Sequence, residues 1–306
     1  MENKNAIGID IGGTNLRVAL VSEDGNILDR IQHPSTDDIE AKVVDSVDQF
    51  RDTNTKGIGI AVAGIIDREK GKISFSPNLP LVESLDLVTT LRGKHSLPVF
   101  IDNDANAATL GEKYIGKGRH LNSFILLTLG TGVGGGIVYN SELMNVPAEI
   151  GHMTIVQDGI QCVCGNHGCL EEYAAAKAMI NMATSALEGG ETSSLGVCCE
   201  GNIYKITPKL ISEHAMDGDR LAKEILRTAG KFLGIGIANL TNIFHPQAII
   251  LAGGLTNARD LYIEEAIKEA DKRAMAGLFS KSMVLISDIR ENAGLIGAAL
   301  HSLKFQ

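Results

Sequence analysis

A chain of 306 residues is longer than most single domains, so its length predicts two domains that each bury a core. Hydrophobic residues make up 44% and charged residues 21%, as in soluble enzymes, and the net charge of −9 argues against DNA or RNA as a direct partner. No apolar run approaches the roughly 18 residues that would span a bilayer, and the polar start lacks a signal-peptide pattern. We therefore expect a cytoplasmic protein without membrane contact.

The first predicted element is an antiparallel meander close to the start of the chain. Two β-rich runs flank Gly12-Gly13-Thr14, and a third follows the turn at Asp24-Gly25. The backbone N–H groups of this glycine turn can form an anion-binding nest, to which Thr14 adds a hydroxyl and Arg17 a positive charge. Asp10, on the preceding strand, could hold Mg²⁺ through water. An ordinary hairpin turn is the alternative interpretation of this motif taken alone.

A second glycine segment at 124–140 repeats the form of the first. It has an apolar strand, a loop at Gly130-Thr131-Gly132 and another strand, and it aligns with the first segment at an offset of 118 residues. This repetition predicts an internal duplication with two similar lobes. Between the two segments the sequence predicts a helix at about 38–50, a strand at 57–63, a loop at 76–80 and a helix at about 104–114.

The remainder of the chain alternates helices with strands and therefore predicts an α/β fold. We expect one lobe from residues 1–116 plus 291–306 and the other from residues 117–290. The predicted elements are a cysteine-rich loop at 162–169, helices at 170–187, from Thr207-Pro208, at 217–243, 260–275 and 292–303, and strands at 248–254 and 283–288.

Gly130, Gly132 and Gly135 also match the glycine fingerprint of dinucleotide-binding folds, with Glu149 at a suitable distance for a ribose contact. That fold requires a helix to begin at the glycine loop. The segment after the loop is β-like and has no helical periodicity. We therefore reject a dehydrogenase.

Several motifs together resemble the ROK family of sugar kinases almost from end to end. The resemblance implies two actin-like (ribonuclease H-like) lobes with ATP and a sugar bound in the cleft between them, and a homodimer or homotetramer. The motifs are Asp10-Ile-Gly-Gly-Thr14 with Arg17, Asn78 in Pro-Asn-Leu-Pro, Asp102-Asn103-Asp104-Ala-Asn106, Leu129-Gly-Thr-Gly-Val-Gly-Gly135, Glu149-Ile-Gly-His152, and Cys162-Val-Cys164-Gly-Asn-His-Gly-Cys169-Leu-Glu171.

The resemblance makes Asp104 the catalytic base. Transfer of a phosphoryl group from Mg-ATP to a sugar hydroxyl needs a group that accepts the hydroxyl proton, and Asn103 beside it can orient that hydroxyl. The alternative is that Asp104 is only the N-cap of the helix that follows. Both roles are compatible.

Sugar recognition requires a few fixed polar groups that form hydrogen bonds with the hydroxyls of the sugar. By resemblance these groups are Asn78, Asn103, Asp104, Glu149, His152 and Glu171. A surface carboxylate is the alternative for Glu149, and an acid favoured by the helix dipole is the alternative for Glu171. Glu172 is a second candidate for the role of Glu171.

Four residues have the chemistry of a tetrahedral zinc site: His152, Cys162, Cys164 and Cys169. Four protein ligands would leave no open position, so the resemblance implies a structural Zn²⁺. Reduced, buried cysteines are the alternative, and His167 is a weaker candidate ligand.

For ATP, the resemblance adds Gly12, Gly13, Thr14, Arg17 and Asp10 on one lobe. On the other lobe it adds Gly130, Thr131 and Gly132, together with Gly253 and Gly254 on the adenosine side. A generic strand-to-helix turn would resemble the last pair, and the family more often has a third glycine where Ala252 or Leu255 stands.

Two rival functions belong to other classes. The same family contains sugar-responsive transcriptional repressors that bind sugar without catalysis, and an actin-like scaffold would need neither sugar nor zinc residues. Among kinases we favour glucose as the substrate, followed by N-acetylglucosamine or N-acetylmannosamine. Departures at 81–84 and at Ala175 from common glucokinase patterns bear on this choice.

Overall fold

The computed structural model describes residues 4–76, 79–198 and 202–304. Within these residues the chain forms strands and helices throughout, which confirms the predicted α/β class. The strands are β1 (Asn5–Ile11), β2 (Asn15–Ser22), β3 (Ile27–Pro34), β4 (Thr55–Val62), β5 (Ile65–Asp67), β6 (Lys72–Phe75), β7 (Val99–Asn103), β8 (Phe124–Leu129), β9 (Val133–Tyr139), β10 (Glu142–Leu143), β11 (Ala248–Ala252) and β12 (Val284–Ile286). The helices are α1 (Ile39–Phe50), α2 (Leu87–His95), α3 (Asp104–Tyr114), α4 (Glu171–Ala174), α5 (Ala176–Glu188), α6 (Ser194–Cys198), α7 (Pro208–Met216), α8 (Arg220–Phe244), α9 (Glu264–Arg273) and α10 (Ala293–Ser302).

The chain divides into two compact units. The first unit comprises Met1–Leu126, Gly136–Pro147 and Ser287–Gln306, and the second comprises Leu127–Gly135 and Ala148–Ile286. The lobes inferred from the sequence, 1–116 with 291–306 and 117–290, stay a prediction. No helix among the described residues combines the length and the apolar character that crossing a membrane requires.

The sheet of the first unit has the strand order β3-β2-β1-β4-β7. β1, β2 and β3 form the predicted antiparallel meander, and β1, β4 and β7 run parallel. Large and small side chains of β1 lie on opposite faces of the sheet. Ile7, Ile9 and Ile11 face a large apolar core with α1 and α2, whereas Ala6 packs with α10. One face of this sheet is therefore built for close approach of a helix.

Glycines make that close approach possible. A Cβ atom on Gly8 would lie 2.3 Å from the carbonyl oxygen of Leu295, and one on Gly59 would lie 1.9 Å from that of Ala298. Real side chains do not tolerate such distances to backbone atoms. Helix α10 consequently lies against the backbone of β1 and β4.

The second sheet has the strand order β10-β9-β8-β11-β12, which follows the same plan as the first. A meander is followed by two further strands on the side of its first strand, and β8 and β9 take the places of β1 and β2. The shared strand order is consistent with the predicted duplication, which stays a prediction.

The structure differs from the predicted elements in two helices. The helix predicted at 170–187 is interrupted at Ala175, where the backbone is extended because the N–H of Ala176 donates to the carbonyl oxygen of Gly130 at 2.9 Å. The helix predicted at 260–275 begins as a π-helical turn, Arg259–Ile263, before α9. The structure also contains β5, β6, α2, β7, β10 and α6, which no sequence pattern predicted.

Candidate functional site

The carboxyl ends of β1, β4 and β7 carry polar residues at one edge of the first sheet. Ile11 pairs in register with Val62, and Val62 pairs with Asn103. Adjacent strands lie about 4.8 Å apart, so the start of the Gly12 loop is about 10 Å from Asn103. Two sequence motifs separated by ninety positions or so thus reach the same edge of one unit.

The first glycine loop is tight, and its tip is exposed. The N–H of Gly12 donates to the carbonyl oxygen of Asn15 at 3.0 Å, while Gly13 and Thr14 are accessible to solvent. Arg17 forms an ion pair with Asp10, its partner across the strands. Burial raises the pKa of Asp10, and the Arg17 guanidinium opposes that rise. The predicted Mg²⁺ group and the predicted phosphate cation therefore neutralise each other in this structure.

Asn103 and Asp104 occupy different positions at the start of α3. Asn103 is the N-cap, and its Oδ1 accepts from the N–H groups of Ala105 at 2.9 Å and Asn106 at 3.3 Å. Its Nδ2 donates to the carbonyl oxygen of Gly64 at 3.0 Å. The alternative that Asp104 is the cap is thus wrong. Asp104 is the first residue of the helix, and its side chain is exposed.

A buried ion pair beneath this turn was missed by the sequence analysis. Asp102 is 2% exposed, and its carboxylate lies 2.8 Å from the guanidinium of Arg68. Its Oδ1 accepts from the backbone N–H of Asn103 at 2.7 Å and from Nδ2 of Asn106 at 3.2 Å. Burial raises the pKa of Asp102, and Arg68 opposes the rise. Asp102 therefore holds the segment that precedes Asp104.

Asn78, the remaining predicted residue of the first unit, lies outside the described residues. Ser76, which precedes the two residues that the structure does not describe, is fully buried. Its N–H donates to Oε1 of Glu83 at 2.7 Å, and its hydroxyl donates to the carbonyl oxygen of Ala63 at 2.7 Å.

The second unit brings its two predicted glycine loops together. Gly130 follows β8, and Gly253 follows β11, the neighbouring strand. Gly253 has φ +97°, and a Cβ atom there would lie 2.3 Å from the carbonyl oxygen of Leu129, so only glycine fits. Gly254 faces open space. Strand β9 follows the loop at 130–132, which confirms the rejection of a dinucleotide fold.

Glu171 connects the glycine loop with the histidine and cysteine residues. Its Oε2 accepts from the backbone N–H of Val133 at 3.4 Å and lies against Gly132. Its Oε1 lies 3.6 Å from Nδ1 of His152 and 3.6 Å from Sγ of Cys162. Because the other carboxylate oxygen of this side chain faces the predicted phosphate loop, Glu171 couples two predicted sites within this unit.

His152 lies between Glu171 and the exposed Glu149. Its Nε2 is 3.9 Å from Oε2 of Glu149, while its Nδ1 is 3.5 Å from Sγ of Cys162. The two ring nitrogens therefore face different groups. A metal bound to Nδ1 would leave Nε2–H to donate to an acceptor such as a carboxylate or a sugar hydroxyl.

The ligand atoms of His152, Cys162, Cys164 and Cys169 all lie within 4.8 Å of one another. Sγ of Cys164 is 3.7 Å from Sγ of Cys169, which is far longer than a disulfide. Zinc–sulfur bonds of about 2.3 Å in a tetrahedron separate two sulfurs by about 3.8 Å. The observed separations fit a tetrahedral metal. His167 pairs with Gln161 across the loop, and it does not belong to this group of four.

Comparisons with known proteins show the family to which this chain is similar. A model of the ROK family matches residues 6–304 of the chain. Glucokinase of Thermotoga maritima is 33% identical over 98% of this chain and 97% of its own length. The xylose repressor of Bacillus subtilis is 31% identical over 96% of this chain, which covers 77% of the repressor.

A solved structure is similar over the same extent. The ROK family glucokinase from Streptomyces griseus, in complex with glucose and AMPPNP, has a TM-score of 0.84 and 32% identity, covering 96% of this chain and 98% of that one. This similarity confirms the predicted actin-like fold. The predicted cytoplasmic location and homodimer or homotetramer stay predictions.

Proposed function

Because this chain belongs to the ROK family and is an ATP-dependent sugar kinase, we propose that its substrate is glucose, which it converts to glucose 6-phosphate. Glucokinases similar along nearly the whole chain support glucose. The S. griseus enzyme, bound to glucose and AMPPNP, supports both the sugar and the nucleotide.

One observation carries the proposal at the level of chemistry: the exposed carboxylate of Asp104 lies at the same sheet edge as the Gly12–Thr14 loop. Asp104 accepts the proton of the sugar hydroxyl while that oxygen attacks the γ-phosphorus and the bond to the β-phosphate oxygen breaks. Asn103 caps the helix and so fixes the backbone from which Asp104 projects.

We assign sugar binding to Asn78, Asn103, Asp104, Glu149, His152 and Glu171. The proximity of Glu149, His152 and Glu171 within the second unit supports a shared role. A charged or amide group that pairs with a hydroxyl discriminates strongly against molecules without that hydroxyl, since the buried group would otherwise stay unpaired.

For Mg-ATP we assign Gly12, Gly13, Thr14, Gly130, Thr131 and Gly132 to the phosphates, and Gly253 and Gly254 to the adenosine. The neighbouring ends of β8 and β11 support the second group. Asp10 would hold Mg²⁺ through water, which requires that Arg17 leave Asp10 for a phosphate when the nucleotide binds.

We also propose that His152, Cys162, Cys164 and Cys169 hold a structural Zn²⁺. The sulfur separation of 3.7 Å and the sulfur–nitrogen separation of 3.5 Å support tetrahedral ligation. These four residues would hold Zn²⁺ with no open position for a substrate, and the bound metal would fix the loop that presents Glu149 and His152.

The test of the proposal is ADP release with Mg-ATP across glucose, mannose, fructose, N-acetylglucosamine and N-acetylmannosamine. Glucose is expected to give the highest kcat/KM. If an N-acetylhexosamine gives the highest value instead, the kinase assignment stands and the choice of glucose is wrong.

The similarity to xylose repressors supports a second candidate, a sugar sensor without catalysis. Calorimetric binding of glucose or xylose without any ADP release would favour the sensor. The exposed Asp104 carboxylate favours the kinase, because a sensor needs no base at the attacking hydroxyl.

A further inference from the structure

A cavity of about 1350 Å³ lies within the first unit at the outer edge of its sheet. Strand β7 contributes Phe100 and Asp102, α3 contributes Lys113 and Tyr114, and His301 of α10 also lines the cavity, as do residues of α2 and β10. The function proposed above does not use this space.

The cavity wall has an excess of positive charge in an acidic chain. It contains Arg68, Arg92, Lys113, Arg119 and Lys304 against the acids Glu69, Asp102 and Glu142. Five cations and three acids leave a formal excess of two, although the whole chain carries −9. Composition therefore does not account for the charge of this wall.

Most of these cations are not neutralised by a carboxylate of the described residues. Among the described residues, only Arg68 of the five has a carboxylate within 4.0 Å, and its partner is Asp102. Arg92 donates to the carbonyl oxygen of Val99 at 2.9 Å, and Lys113 donates to that of Leu121 at 2.7 Å. Neutral partners of this kind fix the position of a cation without cancelling its charge.

Aromatic rings provide a surface for an uncharged part of a ligand. Nζ of Lys304 lies 4.0 Å from the ring centroid of Tyr114, and His301 packs between Tyr114 and Phe100. Burial, together with Lys304 and Arg68, lowers the pKa of His301 to about 4, so this ring is neutral near pH 7. The wall thus combines cations with neutral planar groups.

We propose that this cavity binds a phosphorylated small molecule, at a second site distinct from the sugar and nucleotide residues. A phosphomonoester carries about −1.5 to −2 charges at neutral pH, which matches the excess of the wall. The forked donors of Arg92 and Arg119 suit phosphate oxygens, and the rings accommodate a short carbon skeleton.

The test is calorimetric titration at constant ionic strength with inorganic phosphate, glycerol 3-phosphate and glycerol as probes. Neither phosphate probe is a hexose or a nucleotide, and the variants described below distinguish this cavity from the glycine loops that are assigned to the phosphates of ATP. Both phosphates are expected to bind and glycerol is not. Equal affinities identify phosphate alone as sufficient, tighter binding of the ester identifies use of the carbon skeleton, and both results support the proposal.

Variants locate the binding. Arg119→Glu replaces an exposed side chain and is expected to weaken the affinity for phosphate by about tenfold or more. Lys304→Glu, which lies just beyond the end of α10, provides a second exposed change with the same expectation. Arg30→Ala, an exposed arginine of β3 outside the cavity, and Thr14→Ala, in the first glycine loop, are expected to leave the affinity within about twofold.

Two outcomes would overturn the proposal. One is that neither phosphate probe binds to the wild-type chain. The other is that Thr14→Ala weakens binding while Arg119→Glu and Lys304→Glu do not, which would assign the phosphate to the glycine loop. Melting curves establish that each variant is folded before its affinity is compared.

Discussion

At the start of α3, Asn103 is the N-cap, and the neighbouring Asp104 presents an exposed carboxylate. Oδ1 of Asn103 accepts from the N–H groups of Ala105 and Asn106, and Oδ1 of Asp104 also accepts from the N–H of Ala105. A carboxylate in the first helical turn is stabilised by the helix dipole. Because this stabilisation is worth only about 0.3–1 kcal/mol at an exposed position, loss of the charge should affect turnover far more than folding.

We expect Asp104→Asn to lower kcat by about 10²–10⁴-fold, because the amide cannot accept the hydroxyl proton. The melting temperature should change little, since the side chain is exposed. The matched control is Asp37→Asn, another exposed aspartate of the first unit, which should keep full turnover. ADP release and melting curves measure both effects. Full turnover in Asp104→Asn would remove Asp104 as the base.

Zinc binding is tested at a single thiol. Cys164→Ser should lose the metal, because a hydroxyl is a poor ligand for zinc at a site made of thiolates and imidazole. Cys198→Ser, an exposed cysteine of the same unit that lies outside the cluster, should keep about one zinc per chain. Metal content after extensive dialysis measures the difference. Equal zinc content in the two variants would contradict the assignment.

At the scale of elements, the packing of α10 on β1 and β4 depends on the absence of side chains. Gly59 approaches a backbone carbonyl, which cannot rotate away as a flexible side chain would. The alternation of large and small residues along both strands therefore determines which face takes α10 and which takes α1 and α2.

Gly59→Ala should lower the free energy of unfolding by about 3 kcal/mol or more, since the added methyl would lie 1.9 Å from the carbonyl oxygen of Ala298. Gly93→Ala is the matched control, because Gly93 lies inside α2 with nothing within 4 Å of an added Cβ. That change should stabilise by about 0.5–1 kcal/mol through helix propensity. Urea unfolding distinguishes the signs, and a stable Gly59→Ala variant would contradict the described packing.

Hydrogen bonds of Asp219 connect α8 with α6, and its lowered pKa predicts that the stability of the chain depends on pH. Partial burial works to raise its pKa, but N–H donors of Ala222 and Ser194 and the hydroxyls of Ser193 and Ser194 outweigh it and lower the pKa to about 2. A folded pKa below the unfolded value of 3.8 gives stability that is complete above pH 3.8 and lost as the pH falls towards 2.

Asp219→Asn should therefore lower the urea midpoint at pH 7, and the difference from wild type should shrink at pH 3. Asp217→Asn changes an exposed residue in the same turn and should leave the midpoint unchanged at both pH values. A difference between Asp219→Asn and wild type that is equal at pH 7 and pH 3 would show that charge at this position is not involved.

At the scale of the whole molecule, binding of the kinase's substrates is expected to raise the stability of the folded chain. A ligand that binds only the folded chain stabilises it by about 2.7 kcal/mol at one hundred times its Kd. Glucose with Mg-AMPPNP should raise the melting temperature more than either ligand alone, while xylose should give a smaller shift. A xylose shift larger than that of glucose would favour the sensor.

Local chemistry explains what could be predicted from the sequence. Glycine loops, the Thr207 cap of α7 and the four metal-ligand residues depend on neighbours in the chain or on side-chain chemistry, and the predicted helix at 104–114 matches α3. The interruption at Ala175 depends on a hydrogen bond to the distant Gly130, so no local pattern contains it.

The pairing of Arg68 with Asp102 is likewise long-range, and so is the cavity beside it. Strand β7 has only five residues and gives no clear alternation, because it is buried on both faces for most of its length. Such features follow from tertiary neighbours, which a pattern within one segment does not record.

The position of α10 has a consequence for how the chain is made. The packing of α10 on β1 and β4 is complete only after the entire second unit has left the ribosome, because α10 follows that unit in sequence. Until then the small-residue face of the first sheet lacks the helix that covers β1 and β4, and this surface is open to wrong partners. Nascent chains that stop before α10 should therefore be held by chaperones, whereas the second unit can already fold.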